Sequence, residues 1–269
     1  MKNRRWSAAA LITASVLTLG LAACNGDSGA ASSAGASPTP AIPADPKQAL
    51  LDSTKEIEKG HFSFTMKDHE TSGNGIMHLP TRSALMVIKS EDPEMSMNME
   101  IVHVQPETWV KLTFGGELAS LPGMEKLSSG KYLHLDQSKA KDLKDLQFEE
   151  QDADPAGADE IFKAIVDATK TGEGAYSGTA DLSKATEAGM VDEDLVKELG
   201  AQANAVPFEA TLDPQGRLTS LTLKMPAAGK TKAHDVQVAY ADYGSATPPQ
   251  KPAASQTQEA PAEAYEMFK

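Results

Sequence analysis

Three methionines at alternate positions, Met95, Met97 and Met99, are the residues whose type and spacing most directly suggest a chemical role. Alternate side chains of a β-strand point to the same face, so these thioethers would form one apolar row that continues to Ile101. Methionine is flexible and polarisable, which suits a surface that accepts varied apolar ligands. The row predicts the wall of an apolar cavity or, as the plainer alternative, an ordinary core. A Cu(I) site is a third alternative, since thioethers are soft ligands.

The histidines of the sequence lack the spacing of a zinc site. No two have the helical metal-binding spacing, and no His-Glu-x-x-His motif occurs. The single cysteine adds little to a ligand set. We therefore expect scattered strand or surface histidines, with no metal site and no cofactor. The six histidines are His61, His69, His78, His103, His134 and His234.

The sequence evidence for a catalytic nucleophile is equally weak. Two Ser-x-x-Lys motifs, Ser128–Lys131 and Ser138–Lys141, match the acylating motif of penicillin-binding enzymes. That motif opens a helix in the enzymes, whereas Gly130 here precedes an apparent strand, and no Ser-Asp-Asn motif accompanies it. The sequence also lacks Gly-x-Ser-x-Gly and a phosphate-binding loop. We expect no enzymatic activity.

The charge of the chain argues against nucleic acid as a partner. The formal charge is −13, and it becomes −16 without residues 1–23, which hold three basic residues and no acidic one. Such a surface repels nucleic acid and anionic lipid head groups. The acidic run Glu149–Asp154 fits no EF-hand spacing, so it predicts a solvated loop rather than a calcium site.

The first 24 residues follow the order of a secretory signal peptide. A basic segment, Met1–Arg5, precedes the apolar segment Trp6–Leu19, which is too short to span a bilayer. The signal ends in Leu-Ala-Ala-Cys24, which resembles the lipobox of bacterial lipoproteins. The resemblance implies cleavage before Cys24 and acylation of its thiol by chains such as palmitate. It therefore implies a lipid anchor on the extracytoplasmic face of the cell membrane.

The composition divides the remaining chain into three parts. Residues 24–44, rich in Gly, Ala, Ser and Pro, predict a disordered tether that follows the lipidated Cys24. Residues 45–246 are long enough for a single domain with its own core. Residues 247–269, rich in Pro, Gln and Ala, predict a disordered tail.

The elements that must position these residues form an α+β pattern. Asp45–Pro46 predicts a helix start and Gly60 its end, and Asn74–Gly75 predicts a hairpin turn. Further helices are expected over 159–169 and 192–199. A large antiparallel sheet with helices on one face tends to curl and can enclose a cavity. Strands are predicted over 61–66, 76–79, 84–89, 95–104, 108–114, 131–135, 174–182, 206–212, 217–225 and 232–240.

Several segments resemble the actinobacterial LppX/LprG family of lipoproteins. They are the lipobox and tether, Glu107–Leu112, Leu212–Leu218 and Val236–Gly244, within a similarity that covers about Asp45 to Pro252. That family resembles the LolA-like superfamily. The resemblance implies a large curved antiparallel sheet, or half barrel, with helices on its concave face and a cavity for acyl chains. It also implies a role in binding or moving lipids or lipoglycans.

We therefore expect a membrane-anchored cell-envelope lipoprotein that binds or carries an apolar, lipid-like ligand. The alternative is a ligand-free module that senses or scaffolds another envelope protein. The expected cavity lining combines the methionine row with neighbouring strand residues. These residues are Phe62, Phe64, Met66, Met77, Met95, Met97, Met99, Ile101, Val110 and Leu112.

Overall fold

The computed structural model describes residues 41–90, 92, 96–140, 153–185, 188–191 and 193–268. All of these residues fall within one compact unit. The expected signal peptide, Cys24, most of the tether and Met95 lie outside the described residues. No helix among the described residues has the length and apolar character needed to cross a membrane.

One open sheet of twelve strands dominates the described part of the chain. All neighbouring strands pair antiparallel except β12, which runs parallel to β6. The strands are β1 (His61–Lys67), β2 (Thr71–His78), β3 (Ser83–Ser90), β4 (Met97–Val104), β5 (Glu107–Phe114), β6 (Tyr132–Leu135), β7 (Ile165–Gly172), β8 (Ala175–Ala180), β9 (Val206–Leu212), β10 (Leu218–Met225), β11 (His234–Ala241) and β12 (Thr257–Glu259).

Six short α-helices accompany the sheet in the described residues. With the twelve-stranded sheet, they confirm an α+β fold. The helices are α1 (Pro46–Ser53), α2 (Met124–Leu127), α3 (Gln137–Ala140), α4 (Ala158–Lys163), α5 (Glu193–Leu199) and α6 (Ala262–Met267).

Two consecutive meanders build the sheet. The order is β12-β6-β5-β4-β3-β2-β1-β11-β10-β9-β8-β7, so β1–β6 form one half and β7–β11 the other. The halves join where β1 pairs with β11, with Phe64 opposite Tyr240 and Met66 opposite Val238. This junction places the start of the first meander beside the end of the second.

One face of the sheet carries the core, and we call it the helix-covered face. Cross-strand pairing aligns Phe64 with Gly75, Met86, Ile101 and Val110 on this face. A first core cluster joins β1, β2 and β8–β11 to apolar residues of α1, α4 and α5. A second cluster joins β5 and β6 to α2 and α6. The two clusters therefore occupy different parts of the same face.

The first helix begins as the sequence predicts. Asp45 is its N-cap, because its Oδ1 accepts from the amide of Gln48 at 2.7 Å, and Pro46 occupies the first turn. The helix buries Ala49 and Leu50 against the first core cluster. Ile42 also packs on this cluster, so ordered packing begins before the expected domain boundary at residue 45.

The hairpin turn expected at Asn74–Gly75 is wrong. Both residues lie within β2, and the turn that joins β1 to β2 covers residues 68–70. A Cβ at position 75 would lie 2.6 Å from the Phe64 ring and 2.3 Å from the carbonyl oxygen of Leu85. Glycine is thus required for close packing across three strands rather than for chain reversal.

The single helix expected over 159–169 is also wrong in its second half. Helix α4 ends at Lys163, and Ile165 and Val166 belong to β7. Short apolar runs do not distinguish a helix from a strand. The β-branched residues that follow, Thr169 and Thr171, favour the strand.

The tail expected to be disordered over 247–269 is ordered through residue 268. Strand β12 pairs with β6, and α6 buries Ala264 and Tyr265 in the second core cluster. The amide of Asp136 donates to the Tyr265 hydroxyl at 2.8 Å. The Pro- and Ala-rich composition does not indicate these packing contacts, because few residues in the segment are large and apolar.

Candidate functional site

A cavity of about 400 Å³ lies on the helix-covered face, next to the turn between β1 and β2. Strands β1, β2, β3, β10 and β11 form one wall, and Pro155, residues 189–191 and Leu195 form the other. Most of the lining is apolar and includes four methionines. The apolar lining residues are Phe64, Met66, Met86, Ile88, Pro155, Met190, Val191, Leu195, Met225 and Val236.

Polar groups line the end of the cavity nearest the β1–β2 turn. Lys67, Asp68, Thr71 and Ser72 come from the turn and its flanking strands, and His234 begins β11. A cavity with one polar end and a long apolar wall can hold a ligand that combines both characters, because a few polar groups orient a ligand in an otherwise apolar site.

Two of the expected lining residues, Phe64 and Met66, lie on the cavity wall. Phe62 and Met77 are buried in the first core cluster and are not among the lining residues. Phe62 packs edge-on against Tyr240, with ring centroids 5.6 Å apart. These two side chains therefore support the wall from within the core.

The methionine row lies beyond the cavity, between the two core clusters. Met97, Met99 and Ile101 are half-buried and pack against the second cluster. Met99 pairs across the sheet with Ile88, which is itself on the cavity wall. An incompletely covered apolar strip thus continues from the cavity across β3 and β4.

Val110 and Leu112, also expected in the lining, are fully buried in the second cluster. They are absent from the cavity lining and form part of the packed core instead. Met95 is outside the described residues, so its expected place in the methionine row remains a prediction.

Part of the opposite wall comes from a segment before α5 that periodicity does not identify. Met190 and Val191 follow Ala188 and Gly189, and the amide of Met190 donates to the Ala156 carbonyl at 3.1 Å. A Cβ on Gly189 would come within 2.1 Å of the Pro155 carbonyl oxygen. The glycine permits this close approach and thereby places Met190 over the sheet. The only available sequence signal was this glycine between apolar residues.

A half-buried carboxylate, that of Asp154, fixes the segment that supplies Pro155. Asp154 accepts from the Tyr240 hydroxyl at 2.6 Å and from the amides of Ala156 and Ala158 at 3.1 and 2.7 Å. Burial raises the pKa of Asp154, and the three donors act in the opposite direction. The solvated loop expected over 149–154 is therefore wrong at Asp154, while 149–152 lie outside the described residues.

Two of the scattered histidines meet at the polar end of the cavity. The rings of His69 and His234 have centroids 4.3 Å apart, and both approach Asp68. The sequence separates them widely, and the pairing of β1 with β11 brings them together. His103 lies elsewhere, on β4, where its Nδ1 contacts the Thr108 hydroxyl at 2.9 Å and burial lowers its pKa.

Of the two serine motifs, Ser128–Lys131 lies within the described residues, whereas Lys141 of the second motif lies outside them. Ser128–Lys131 precedes β6, near one edge of the sheet. The sequence contains a Lys-Thr-Gly, at 170–172, but it lies on β7 at the opposite edge. Nine strands lie between β6 and β7 in the sheet order, so the two motifs belong to different parts of the sheet.

The class that these observations define is an open α+β sheet with one helix-covered face and an apolar cavity on it. No known protein-family model matches the chain, and no curated protein matches it.

Proposed function

We propose that this protein binds an amphipathic lipid-like ligand, with an acyl chain in the cavity on the helix-covered face. The proposal rests mainly on the largely apolar lining of that cavity, which includes four methionines. Its volume of about 400 Å³ lies within the range of about 300–1,000 Å³ that is usual for small-molecule sites.

The burial of apolar surface supplies the driving force in this proposal. Each Å² of acyl chain removed from water contributes about 25 cal/mol. Methionine side chains adapt their shape at low cost, so the cavity accepts chains that differ in length or branching. The half-buried strip of Met97, Met99 and Ile101 offers a longer chain a continuous apolar path.

The same proposal places the protein at the membrane, through acylation of Cys24. Two acyl chains on one residue hold a protein firmly at a bilayer, since each buried methylene adds about 0.8 kcal/mol. An anchored carrier would stay close to the membrane that supplies its ligand. The resemblance to LppX/LprG lipoproteins, and to the LolA-like half barrel, belongs to this proposal as well.

A tryptophan on the cavity wall tests the proposal. We expect Met86→Trp to weaken binding of a fluorescent long-chain fatty acid to the delipidated full chain. If the indole keeps the ligand off about 60 Å² of wall, the loss is roughly 1.5 kcal/mol, or about tenfold in Kd. The melting temperature should hold, because the indole occupies space that is empty without ligand.

The matched control is Val87→Trp, the next residue on the same strand. Val87 is half-buried and pairs with Asn74 and Glu100 on the opposite face of the sheet. Val87→Trp should bind the fatty acid as the unmodified protein does. Equal affinity in both variants, or no fatty-acid binding by the unmodified protein, would contradict the proposal and favour a ligand-free interaction module.

A further inference from the structure

His234 has one ring nitrogen that the fold leaves without a hydrogen-bond partner. Its side chain is only 8% exposed, and its Nε2 is sealed from solvent without a hydrogen bond. The nearest carboxylate oxygen, Oδ1 of Asp68, is 3.2 Å away but poorly aligned for a hydrogen bond. A buried polar atom in this state needs a physical explanation.

The other ring nitrogen of His234 determines the tautomer. Nδ1 lies 2.8 Å from the carbonyl oxygen of Lys232. A carbonyl oxygen only accepts, so Nδ1 is the donor and the neutral ring carries its lone pair on Nε2. Histidines that bind metals commonly have this arrangement, with the second ring nitrogen donating to a backbone carbonyl. The lone pair is thus available beside Asp68.

Two further ligand atoms converge on the same point. His69 Nδ1 lies 2.9 Å from Asp68 Oδ1, and atoms of Asp68, His69 and His234 all lie within 4.8 Å of one another. Among the described residues, only this group brings three metal-binding side chains so close. Zinc bonds of about 2.0–2.1 Å place neighbouring tetrahedral ligands about 3.3 Å apart. The spacing between Asp68 and His234 is therefore close to that of ligands sharing one ion.

From this geometry we infer that Asp68, His69 and His234 form a site for a divalent transition metal, with Zn²⁺ as its natural occupant. Two imidazoles and one carboxylate match the ligand types that zinc prefers. Three protein ligands leave a fourth coordination position for water or another group. The expectation of no metal site, drawn from sequence spacing, is replaced by this inference.

The fold positions the three ligands without relying on their sequence spacing. Asp68 and His69 belong to the β1–β2 turn, which is closed by a hydrogen bond from the Asp68 amide to the Thr71 carbonyl at 2.8 Å. His234 is the first residue of β11, the neighbour of β1. The inference does not depend on ligand binding in the cavity, although Asp68 and His234 border both sites.

Zinc titration of the metal-free full chain tests the inference. We expect one Zn²⁺ per chain, measured by competition with a chromophoric chelator. His69→Gln and His234→Gln should each weaken binding by roughly 100-fold, since changes to groups that merely support a ligand already cost about 10–100-fold. His69 is 37% exposed, so its substitution should leave the melting temperature unchanged and keep the test valid if His234→Gln misfolds.

The control is His134→Gln. His134 also lies near two carboxylates, with Nε2 3.5 Å from Glu107 and Nδ1 3.1 Å from Glu259, yet it is not part of the three-residue group. Zinc affinity should be unchanged in this variant. Absence of stoichiometric Zn²⁺ binding, or unchanged affinity in His69→Gln, would overturn the inference.

Discussion

Asp154 illustrates how a single side chain can hold a cavity wall in place. Its carboxylate joins the residues before α4 to Tyr240 on β11, and Pro155 beside it lines the cavity. Desolvation of a carboxylate is costly unless donors compensate, and here three donors bind one half-buried carboxylate. The position of Pro155 therefore depends on a polar network inside the first core cluster.

At the residue scale, we predict that Asp154→Ala lowers the free energy of unfolding by about 3 kcal/mol. The change would leave the Tyr240 hydroxyl and two amides without their acceptor, and each buried unsatisfied group costs about 1–3 kcal/mol. Chemical denaturation measures the loss. Asp159→Ala is the control, because the partly exposed ion pair of Asp159 with Lys163 is worth less than about 1 kcal/mol. Equal losses in both variants would contradict the network's role.

The cavity residues could be predicted only where they belong to regular strands. Alternation along His61–Lys67 places Phe64 and Met66 on one face, and both line the cavity. The same alternation cannot tell a lining residue from a core residue, so Val110 and Leu112 were expected in the wall although they are fully buried. That difference depends on what packs above the sheet.

At the element scale, α6 shows how a short helix can complete a core. It contributes Ala264 and Tyr265 to the cluster formed by β5, β6 and α2. A helix of six residues is too short to be stable alone, so its order comes from this packing. Composition predicts disorder here because it averages over a segment in which two residues make the decisive contacts.

We predict that Tyr265→Ala lowers the free energy of unfolding by about 3 kcal/mol. Tyr265 is 7% exposed, and truncation of a large buried aromatic residue typically costs about 3–5 kcal/mol. Met267→Ala, on the same helix but 37% exposed, should change the stability by less than about 0.5 kcal/mol. Thermal and urea unfolding of both variants measure these changes in stability. A stable Tyr265→Ala protein would mean that α6 is not part of the cooperative core.

Strand pairing over long distances explains what the sequence could not indicate. The strands from β8 to β11 follow from alternation and from the Asp213–Gly216 turn, in which the Gly216 amide donates to the Asp213 carbonyl at 2.9 Å. The contact between His69 and His234 requires knowing that β1 lies next to β11. Sequence spacing carries no information about that neighbour relation.

At the scale of the whole molecule, the proposed lipid anchor at Cys24 would determine where the protein is located, whereas its fold comes from the core of the domain. We predict that Cys24→Ser abolishes incorporation of a palmitate analogue, because Cys24 is the only cysteine. Ser28→Ala, a few residues further on, should retain full labelling. Metabolic labelling followed by membrane fractionation measures both outcomes, and label on the Cys24→Ser protein would refute the lipoprotein assignment.

The junction between β1 and β11 also determines when the sheet can be completed. Ser63 and Asp242, whose side chains form a 2.6 Å hydrogen bond beside this junction, are 179 residues apart in the chain. A nascent chain must keep the backbone edge of β1 unpaired until its last long strand is available. Such distant pairings slow folding, and an open edge invites association with other chains. We therefore expect the period before β11 docks to be the interval in which this protein most needs a chaperone.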